Sequence, residues 1–143
     1  ENLSATTEQA TGYDERPSFT DATAREEAAL TIKQMAKNCP DCSLPGVNLR
    51  ASDLIRANLV KANLQGADLS GANLRRAQLS GANLRGAKLQ GTNLPGADLR
   101  DADLTDADFS GANLLRADLS GARVDGIILD GANLEGVTGL TMP

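Results

Sequence analysis

The 143-residue sequence contains no histidine and no tryptophan, and it has only one tyrosine and two phenylalanines. Histidine is the side chain that most often serves as a general base and as a metal ligand. Aromatic rings usually fill the irregular volume of a globular core, but here they make up 2% of the residues, and leucine and alanine supply most of the 41% hydrophobic fraction. We therefore expect no metal site, no cofactor and a regular interior in which every layer has the same shape.

Other absences restrict the partners. No apolar run approaches the length that is needed to cross a bilayer, so we expect no membrane insertion. The formal net charge of −5 argues against binding to nucleic acids or anionic membranes through bulk electrostatics. The sequence begins with Glu1 rather than methionine and has no signal-peptide pattern, and we interpret this start as that of a processed or trimmed form.

A five-residue repeat dominates the chain. From Leu44 to Leu134 an apolar residue recurs at every fifth position, nineteen times in all, and seventeen of these residues are leucine. Two positions earlier alanine occurs fourteen times, the intervening position is Asn or Asp fourteen times, and glycine occurs twelve times two positions after the centre. Ala72-Asn73-Leu74 is a typical unit. An internal repeat of this strength sets the architecture of the whole region.

The period of five excludes the two regular elements. Residues five apart leave one face of an α-helix within two units, and an odd repeat reverses the face of a flat strand at each unit. A corner in every unit removes both conflicts, with the alanine and leucine side chains pointing inward and the next two residues turning the chain. Successive coils then stack about 4.8 Å apart. The sequence therefore predicts an all-β solenoid with a dry interior.

Glycine at the corner permits a positive φ without steric cost. Seven corner positions lack glycine. Besides Ala51 they are charged, and at these six we expect turns that avoid a positive φ: Arg56, Lys61, Arg76, Asp101, Asp106 and Arg116. The number of sides in each coil stays open at this point, because glycine recurs no more clearly at a spacing of twenty residues than at fifteen.

Tandem A-[D/N]-L-x-x units, such as Ala82-Asn83-Leu84, resemble the pentapeptide-repeat family. The resemblance covers residues 42–136 and implies a right-handed quadrilateral β-helix with four repeats in each coil. Residues twenty apart would then stack in columns. Under this arrangement Asn73, Asn93, Asn113 and Asn133 form one column, for which we expect a structural role as a ladder of amides.

The two ends of a solenoid need covers, because the terminal layers otherwise expose apolar faces and unpaired backbone. We expect a capping helix over residues 23–38, since Thr23 and Glu26 match a capping box and Ala28, Leu30, Ile32, Met35 and Ala36 mark an apolar side. The domain prediction is a polar extension over 1–22, this helix, a β-helix over 39–136 and a C-terminal cap over 137–143.

The Cys39-Pro40-Asp41-Cys42 segment has four interpretations. We favour a structural disulfide between Cys39 and Cys42 over a redox-active pair, because catalytic pairs use a helix N-terminus to lower a thiol pKa and this segment follows the C-terminal end of a helix. A metal site would need further ligands, and two free thiols remain as the fourth interpretation.

A helix, a C-x-x-C segment and tandem A-[D/N]-L units together resemble the lumenal pentapeptide-repeat proteins of cyanobacteria and plant chloroplasts, and the mass of 14.9 kDa is similar to that of plant members. This resemblance implies import into the chloroplast thylakoid lumen and removal of a transit sequence.

Charge is unevenly distributed along the repeats. Residues 48–90 contain seven Lys/Arg and two Asp, a net charge of +5, whereas residues 91–136 contain three Arg and nine Asp/Glu, a net charge of −6. The simplest interpretation is a solvated surface whose charges prevent association between solenoids. The functional interpretation is an interaction surface formed by Arg56, Arg76, Arg116, Asp98, Asp101, Asp103 and Asp106.

These observations favour a non-catalytic structural or protein-interaction module of the thylakoid lumen, acting as a monomer on an unidentified protein partner. The alternative is a DNA-mimicking inhibitor of DNA gyrase, a type II topoisomerase, because some members of the family resemble B-DNA in shape and charge. We expect no enzymatic activity, since the surface Ser and Asp residues form no recognisable set of nucleophile, base and oxyanion donor.

Overall fold

The computed structural model describes residues 22–142. The chain divides into two compact units, Glu1–Leu30 and Thr31–Pro143. Almost all of the polar extension predicted for residues 1–22 lies outside the described residues.

The first described element is helix α1, Ala22–Met35. Thr23 is its second residue rather than the residue that precedes it, so the predicted N-cap position is wrong. The predicted apolar side is wrong in part, because the Leu30 and Met35 side chains are 59% and 50% exposed. The last turn of the helix belongs to the second unit, where Ile32 packs against the core and Ala36 is fully buried.

The repeat region is organised by backbone pairing between residues that are twenty apart. Seventeen parallel bridges connect successive coils, from Asn38↔Asn58 to Asp118↔Thr138. Each coil therefore contains four pentapeptide units, as the family resemblance implied. Within the described residues each side pairs through a single bridge residue rather than through a longer strand, because a corner interrupts the chain every five residues. The right-handed sense of the coil stays a prediction.

The backbone N–H groups explain the period. In a typical unit the alanine N–H closes the preceding turn, as Ala77 N does on the Leu74 carbonyl at 2.9 Å. The next N–H donates to the preceding coil, and the N–H groups of the leucine and the corner residue donate to the following coil, as Leu79 N does to Asp98 O at 2.8 Å. Four of the five donors in each unit are thus satisfied by backbone carbonyls, as buried backbone requires.

The fifth N–H explains the Asn/Asp position. Thirteen of the fourteen Asn or Asp side chains at this position accept a hydrogen bond from the backbone N–H two residues later, the turn geometry that Asx residues favour. The exception is Asn93, because Pro95 has no N–H to donate.

The predicted asparagine ladder is confirmed. The side-chain amides of Asn93, Asn113 and Asn133 each donate to the Oδ1 atom of the asparagine one coil earlier, at 3.3 Å in every case. The ladder therefore satisfies amide groups between successive coils.

The interior is filled by the two repeated apolar positions. Every central residue from Leu49 to Leu119 is at most 1% exposed, and Phe109 lies fully buried in the column between Leu89 and Leu129. The small position contributes alanine side chains and two buried polar residues; Thr92 Oγ1 donates to the Leu69 carbonyl at 2.9 Å, whereas Ser52 Oγ has no partner. The inward orientation of leucine and alanine is confirmed.

Burial decreases at both ends of the stack. Leu44, Cys42 and Val47 are partly buried at the start, and Ile127, Leu129 and Val137 are partly buried at the end. In the segment predicted to be a C-terminal cap, Leu140 packs against the core, but the Met142 side chain is 54% exposed. The terminal layers are therefore less completely covered than the middle coils.

Candidate interaction surface

All nineteen corner residues of the repeats adopt the same backbone conformation. Their φ angles lie between 55° at Ala51 and 74° at Gly121. Our prediction that the corners without glycine avoid a positive φ is wrong for all six positions: Arg56, Lys61, Arg76, Asp101, Asp106 and Arg116. The reason is the hydrogen bond from each corner N–H to the following coil, as in Arg76 N to Pro95 O at 2.9 Å. The stacking of the coils fixes the corner whatever its side chain is.

A side chain in this conformation has an energetic consequence. The left-handed region costs an L-residue roughly 1–2 kcal/mol, and glycine avoids that cost. Three of the non-glycine corners, Arg56, Arg76 and Arg116, belong to a single column of the solenoid. Strained backbone of this kind concentrates at functional positions, so this column is a candidate site.

The column has a distinctive composition. We define the arginine ridge as four successive corners of this column together with the residue that precedes each of them: Ile55, Arg56, Arg75, Arg76, Pro95, Gly96, Leu115 and Arg116. Backbone hydrogen bonds from Arg56 N to Arg75 O and from Gly96 N to Leu115 O, both 2.8 Å, hold its coils in register. These four coils contribute four arginines to the ridge in a chain of net charge −5, and the next coil of the same column has the acidic Glu135 before its corner, Gly136. Arginine beside exposed apolar side chains is typical of protein interfaces.

The guanidinium groups of the ridge are unpaired. The side chains of Arg56, Arg75, Arg76 and Arg116 form no hydrogen bond or ion pair with any residue of the described part of the chain. Arginines at other turns are paired: Arg50 with Asp68 at 3.3 Å, Arg85 with Asp103 at 3.3 Å and Arg100 with Asp98 at 2.7 Å. The ridge is therefore a basic surface whose donors are available to another molecule.

A small pocket lies in the middle of the ridge. Gly96 interrupts the arginine column, and the missing side chain leaves a depression of about 160 Å³. Pro95 and Leu115 are half-buried beside it. The complete lining is Arg75, Arg76, Pro95, Gly96, Leu115 and Arg116. We refer to this depression as the Gly96 pocket.

The four acidic residues of the predicted surface lie on other parts of the coil. Asp98 and Asp103 face outward on two successive sides, and Asp101 and Asp106 occupy the corners that follow them. Arg100 binds Asp98 through two hydrogen bonds of 2.8 and 2.7 Å, and Arg85 and Thr105 contact Asp103. The structure thus places the three predicted arginines in one column and the four acidic residues outside it, and Asp98 and Asp103 are already paired with other arginines.

The electrostatics of the acidic sides agree with these contacts. Hydrogen bonds from Arg100 lower the pKa of Asp98 below its ordinary value. Hydrogen bonds from the Ser110 hydroxyl and backbone lower the pKa of Asp108, and the Gln90 amide adds to this effect. These carboxylates therefore stay charged and hydrogen-bonded at neutral pH, and each has a structural partner within the solenoid.

Cys39 and Cys42 occupy two neighbouring inward positions. Cys39 N donates to Asn58 O at 2.7 Å, the bond that a central leucine makes elsewhere, so Cys39 is the centre of a unit that precedes the nineteen predicted ones. The two sulfur atoms lie at bonding distance, with the Cα atoms 5.4 Å apart. In the described residues no group of His, Cys, Asp and Glu side chains is arranged to hold a metal ion. None of the described helices has the length and apolarity to cross a membrane.

Part of the ridge was missed by the sequence analysis. Arg75, Ile55 and Leu115 precede corners, a position with no repeated residue type, and their proximity appears only when the sequence is written in rows of twenty residues. Such rows would have placed Ile55, Arg75, Pro95 and Leu115 in one column beside the arginines.

Comparison with known proteins relates the repeat region of the chain to a family. The model of pentapeptide repeats matches in eight copies, over residues 39–71, 62–101 and 97–136. No curated protein matches the chain. Among solved structures, the pentapeptide repeat protein Rfr23 from the cyanobacterium Cyanothece 51142 has a TM-score of 0.53 and 29% identity, over 78% of this chain and 97% of its own.

Two further structures are similar over shorter or more divergent superpositions. HetL, a pentapeptide repeat protein involved in heterocyst differentiation regulation in the cyanobacterium Nostoc, is 40% identical over 73% of this chain and 51% of its own, with a TM-score of 0.42. A pentapeptide repeat protein of the Arabidopsis thaliana thylakoid lumen is 29% identical over 78% of this chain and 72% of its own, with a TM-score of 0.36.

Proposed function

Because the chain belongs to the pentapeptide-repeat family, we propose that it is a non-catalytic protein-interaction module that contacts its partner through the arginine ridge. The observation that carries this proposal is the row of unpaired arginines, which lie beside the exposed Ile55 side chain on an otherwise acidic chain. Arginine is well suited to such contacts, since its planar guanidinium donates to carboxylates in pairs and loses little hydration.

The filled interior supports the non-catalytic part of the proposal. Catalysis requires a concave site in which nucleophile, base and stabilising donors converge. From Leu49 to Leu119 the central side chains occupy the solenoid axis, and the polar side chains of the Asn/Asp position are engaged in turns and ladders. The surface that remains is suited to recognition.

Residence in an oxidising compartment such as the thylakoid lumen is part of the proposal. The bonded Cys39 and Cys42 sulfurs support it, because disulfides persist in oxidising compartments and are rare in the cytosol. Thiol alkylation of protein from its natural source tests this point. We expect no labelled cysteine before reduction and two labelled cysteines afterwards; labelling before reduction would contradict the disulfide.

The interaction proposal is tested by capture from a thylakoid-lumen extract with immobilised protein. The variant Arg56→Gln/Arg76→Gln/Arg116→Gln removes three ridge charges, and the matched control Arg50→Gln/Arg85→Gln/Arg100→Gln removes the same charge from paired arginines elsewhere. We expect the same partner to bind the wild type and the control, and binding to the ridge variant to fall by about tenfold or more. Equal capture by both variants, or no capture by the wild type, contradicts the proposal.

DNA mimicry and gyrase inhibition, the alternative that the sequence suggested, have weaker support. A DNA mimic presents a regular array of negative charge, whereas here unpaired arginines line the ridge and several carboxylates are paired with basic side chains. A supercoiling assay distinguishes the two functions. We expect gyrase activity to be unchanged at micromolar protein, and strong inhibition would favour the alternative.

A further inference from the structure

The position of Gly96 divides the arginine ridge into two arms. One coil before it lie Arg75 and Arg76, and one coil after it lies Arg116. At about 4.8 Å per coil, the Arg76 and Arg116 backbones are about 10 Å apart, which leaves room for one small group between their side chains. The Gly96 pocket is the space between these arms.

We propose that the Gly96 pocket binds the carboxylate of an acidic side chain in an extended segment of a partner protein. This inference rests on the proposed function, since it names the chemistry by which the arginine ridge recognises that partner. None of the three guanidinium groups at the pocket has an acidic partner in residues 26–142. A carboxylate between them would accept charge-assisted hydrogen bonds, and Arg–carboxylate pairs are frequently bidentate.

The size of the pocket selects this ligand over larger ones. Sites for nucleotides and other small molecules usually enclose roughly 300–1,000 Å³, whereas this pocket measures about 160 Å³ and is open at the surface. That space suits a single side chain. The half-buried Pro95 and Leu115 supply an apolar floor against which the methylene groups of an aspartate or glutamate can pack.

The length of the ridge indicates an extended segment. From Ile55 to Leu115 the ridge spans three coil steps, about 14 Å, and an extended peptide advances about 3.3 Å per residue. About four or five residues therefore cover it. Ile55, which is 46% exposed, lies near one end, and Leu115 lies at the other. The chemistry that fits is a carboxylate with apolar side chains on either side.

Two single substitutions distinguish binding in the pocket from a general attraction by positive charge. Gly96→Arg fills the pocket and at the same time adds a positive charge to the ridge. Arginine is tolerated in this backbone conformation, because Arg76 and Arg116 already adopt it at φ 56° and 58°. Gly86→Arg adds the same charge at another corner, where a side chain meets nothing within 4 Å, and is the matched control.

The probe is a fluorescein-labelled hexapeptide in which leucine, aspartate and leucine alternate with serine, so that these three side chains lie on one face of the extended chain. Its control contains asparagine in place of aspartate. Binding is measured by fluorescence anisotropy with the full chain. We expect the acidic peptide to bind at least about tenfold more tightly than the asparagine peptide. Gly96→Arg should weaken its binding by about tenfold, Gly86→Arg should change it by less than about twofold, and Arg76→Gln/Arg116→Gln should weaken it by more than tenfold.

Several outcomes overturn the inference. If Gly96→Arg binds the acidic peptide as tightly as the wild type or more tightly, the ridge attracts acidic partners by charge alone and the pocket has no role. Absence of binding to the wild type at about 1 mM peptide also excludes the pocket. If a peptide with phosphoserine in place of aspartate binds more than about tenfold tighter, the ligand of the pocket is a phosphoryl group and not a carboxylate.

The peptide measurement and the capture experiment fail independently. If the wild type captures a partner that depends on Arg56, Arg76 and Arg116 but ignores the peptide, the interaction function stands and the pocket is excluded. If the peptide binds but no partner is captured, the pocket stands and the proposed function loses its support.

Discussion

Two corner columns of the same solenoid differ in side chains and agree in backbone. The arginine ridge has Arg56, Arg76 and Arg116 at its corners, whereas the glycine column consists of Ala51, Gly71, Gly91, Gly111 and Gly131. Their φ angles are all positive, between 55° and 72°. The stacked coils thus specify the conformation of a corner but not its residue type, and arginine occupies three positions where glycine fits with less strain.

The two columns also differ in the side chains at the Asn/Asp position that precedes each corner. The ridge is preceded by a column of mostly neutral amides, Asp53, Asn73, Asn93, Asn113 and Asn133, and the glycine column is preceded by residues that include Asp68 and Asp108. An amide and a carboxylate accept the same turn N–H, as Asn113 does from Leu115 and Asp108 does from Ser110. On the side that precedes the ridge, asparagine therefore stands in the coils of Arg76 and Arg116, and that side supplies no counter-ion for these two arginines.

The largest effect is expected from a substitution in the packed interior that both columns share. Leu84 is fully buried, and Leu84→Ala removes most of its side chain from a layer that cannot collapse independently of the adjacent coils. We expect the free energy of unfolding to fall by roughly 2–5 kcal/mol, measured by urea denaturation. The exposed neighbour Arg85→Ala is the control, with an expected change below about 1 kcal/mol. Equal losses in the two variants would contradict a packed interior.

An intermediate effect on stability is expected at two asparagines of the column that precedes the ridge. Asn113 both donates to Asn93 and accepts from Leu115 N at 3.1 Å, whereas Asn93 lacks the turn bond because of Pro95. We expect Asn113→Ala to lower the unfolding free energy by about 1 kcal/mol and Asn93→Ala to lower it by less, since one net hydrogen bond contributes about 0.5–1.5 kcal/mol. Thermal denaturation of both variants tests this order, and a larger loss for Asn93→Ala would reverse it.

The smallest effect is a response to acid that separates the columns. The hydrogen bond from the Ser110 hydroxyl is the largest cause of the lowered pKa of Asp108. The charged Asp108 therefore contributes to stability above the ordinary Asp pKa of about 3.9, and this contribution is lost as the pH falls through the pKa of the folded state. We expect the Ser110 N–H to lose protection from hydrogen exchange as the pH falls from about 5 to 2.5, relative to the Leu115 N–H, whose acceptor Asn113 does not titrate. Parallel loss at both amides would contradict the contrast between the columns.

The interior was predictable because one chemical requirement recurs nineteen times. Each layer needs a leucine and a small residue, so the pattern around Leu84 contains the same information as that around Leu104. The number of sides was not predictable from the residues, because glycine occupies corners at both candidate spacings. Cys39 as the centre of an earlier unit was also missed, since it matches none of the repeated residue types.

The corner conformation at Arg56, Arg76 and Arg116 was mispredicted because residue preference and the stacking hydrogen bonds act in opposite directions. Local preference disfavours arginine at a positive φ, but the bonds to the following coil, 2.8 to 2.9 Å long at these three corners, require it. The candidate site emerged only with the column register. Ile55 and Arg75 are sixty and forty residues from Leu115 in sequence, and no local signal connects them.

The central claim is that the ridge arginines lower the stability of the fold and bind an acidic peptide. Urea denaturation of Arg56→Gly/Arg76→Gly/Arg116→Gly, with and without the acidic hexapeptide, tests this claim most directly. Glycine at these corners removes the cost of the positive φ, but it loses more backbone entropy than arginine does when the chain folds. The difference between the two effects is a gain of roughly 0.5–1 kcal/mol per site in the free energy of unfolding. We predict that the variant is more stable than the wild type without peptide and that the peptide stabilises only the wild type. A variant that is less stable, or that the peptide stabilises equally, would contradict the account.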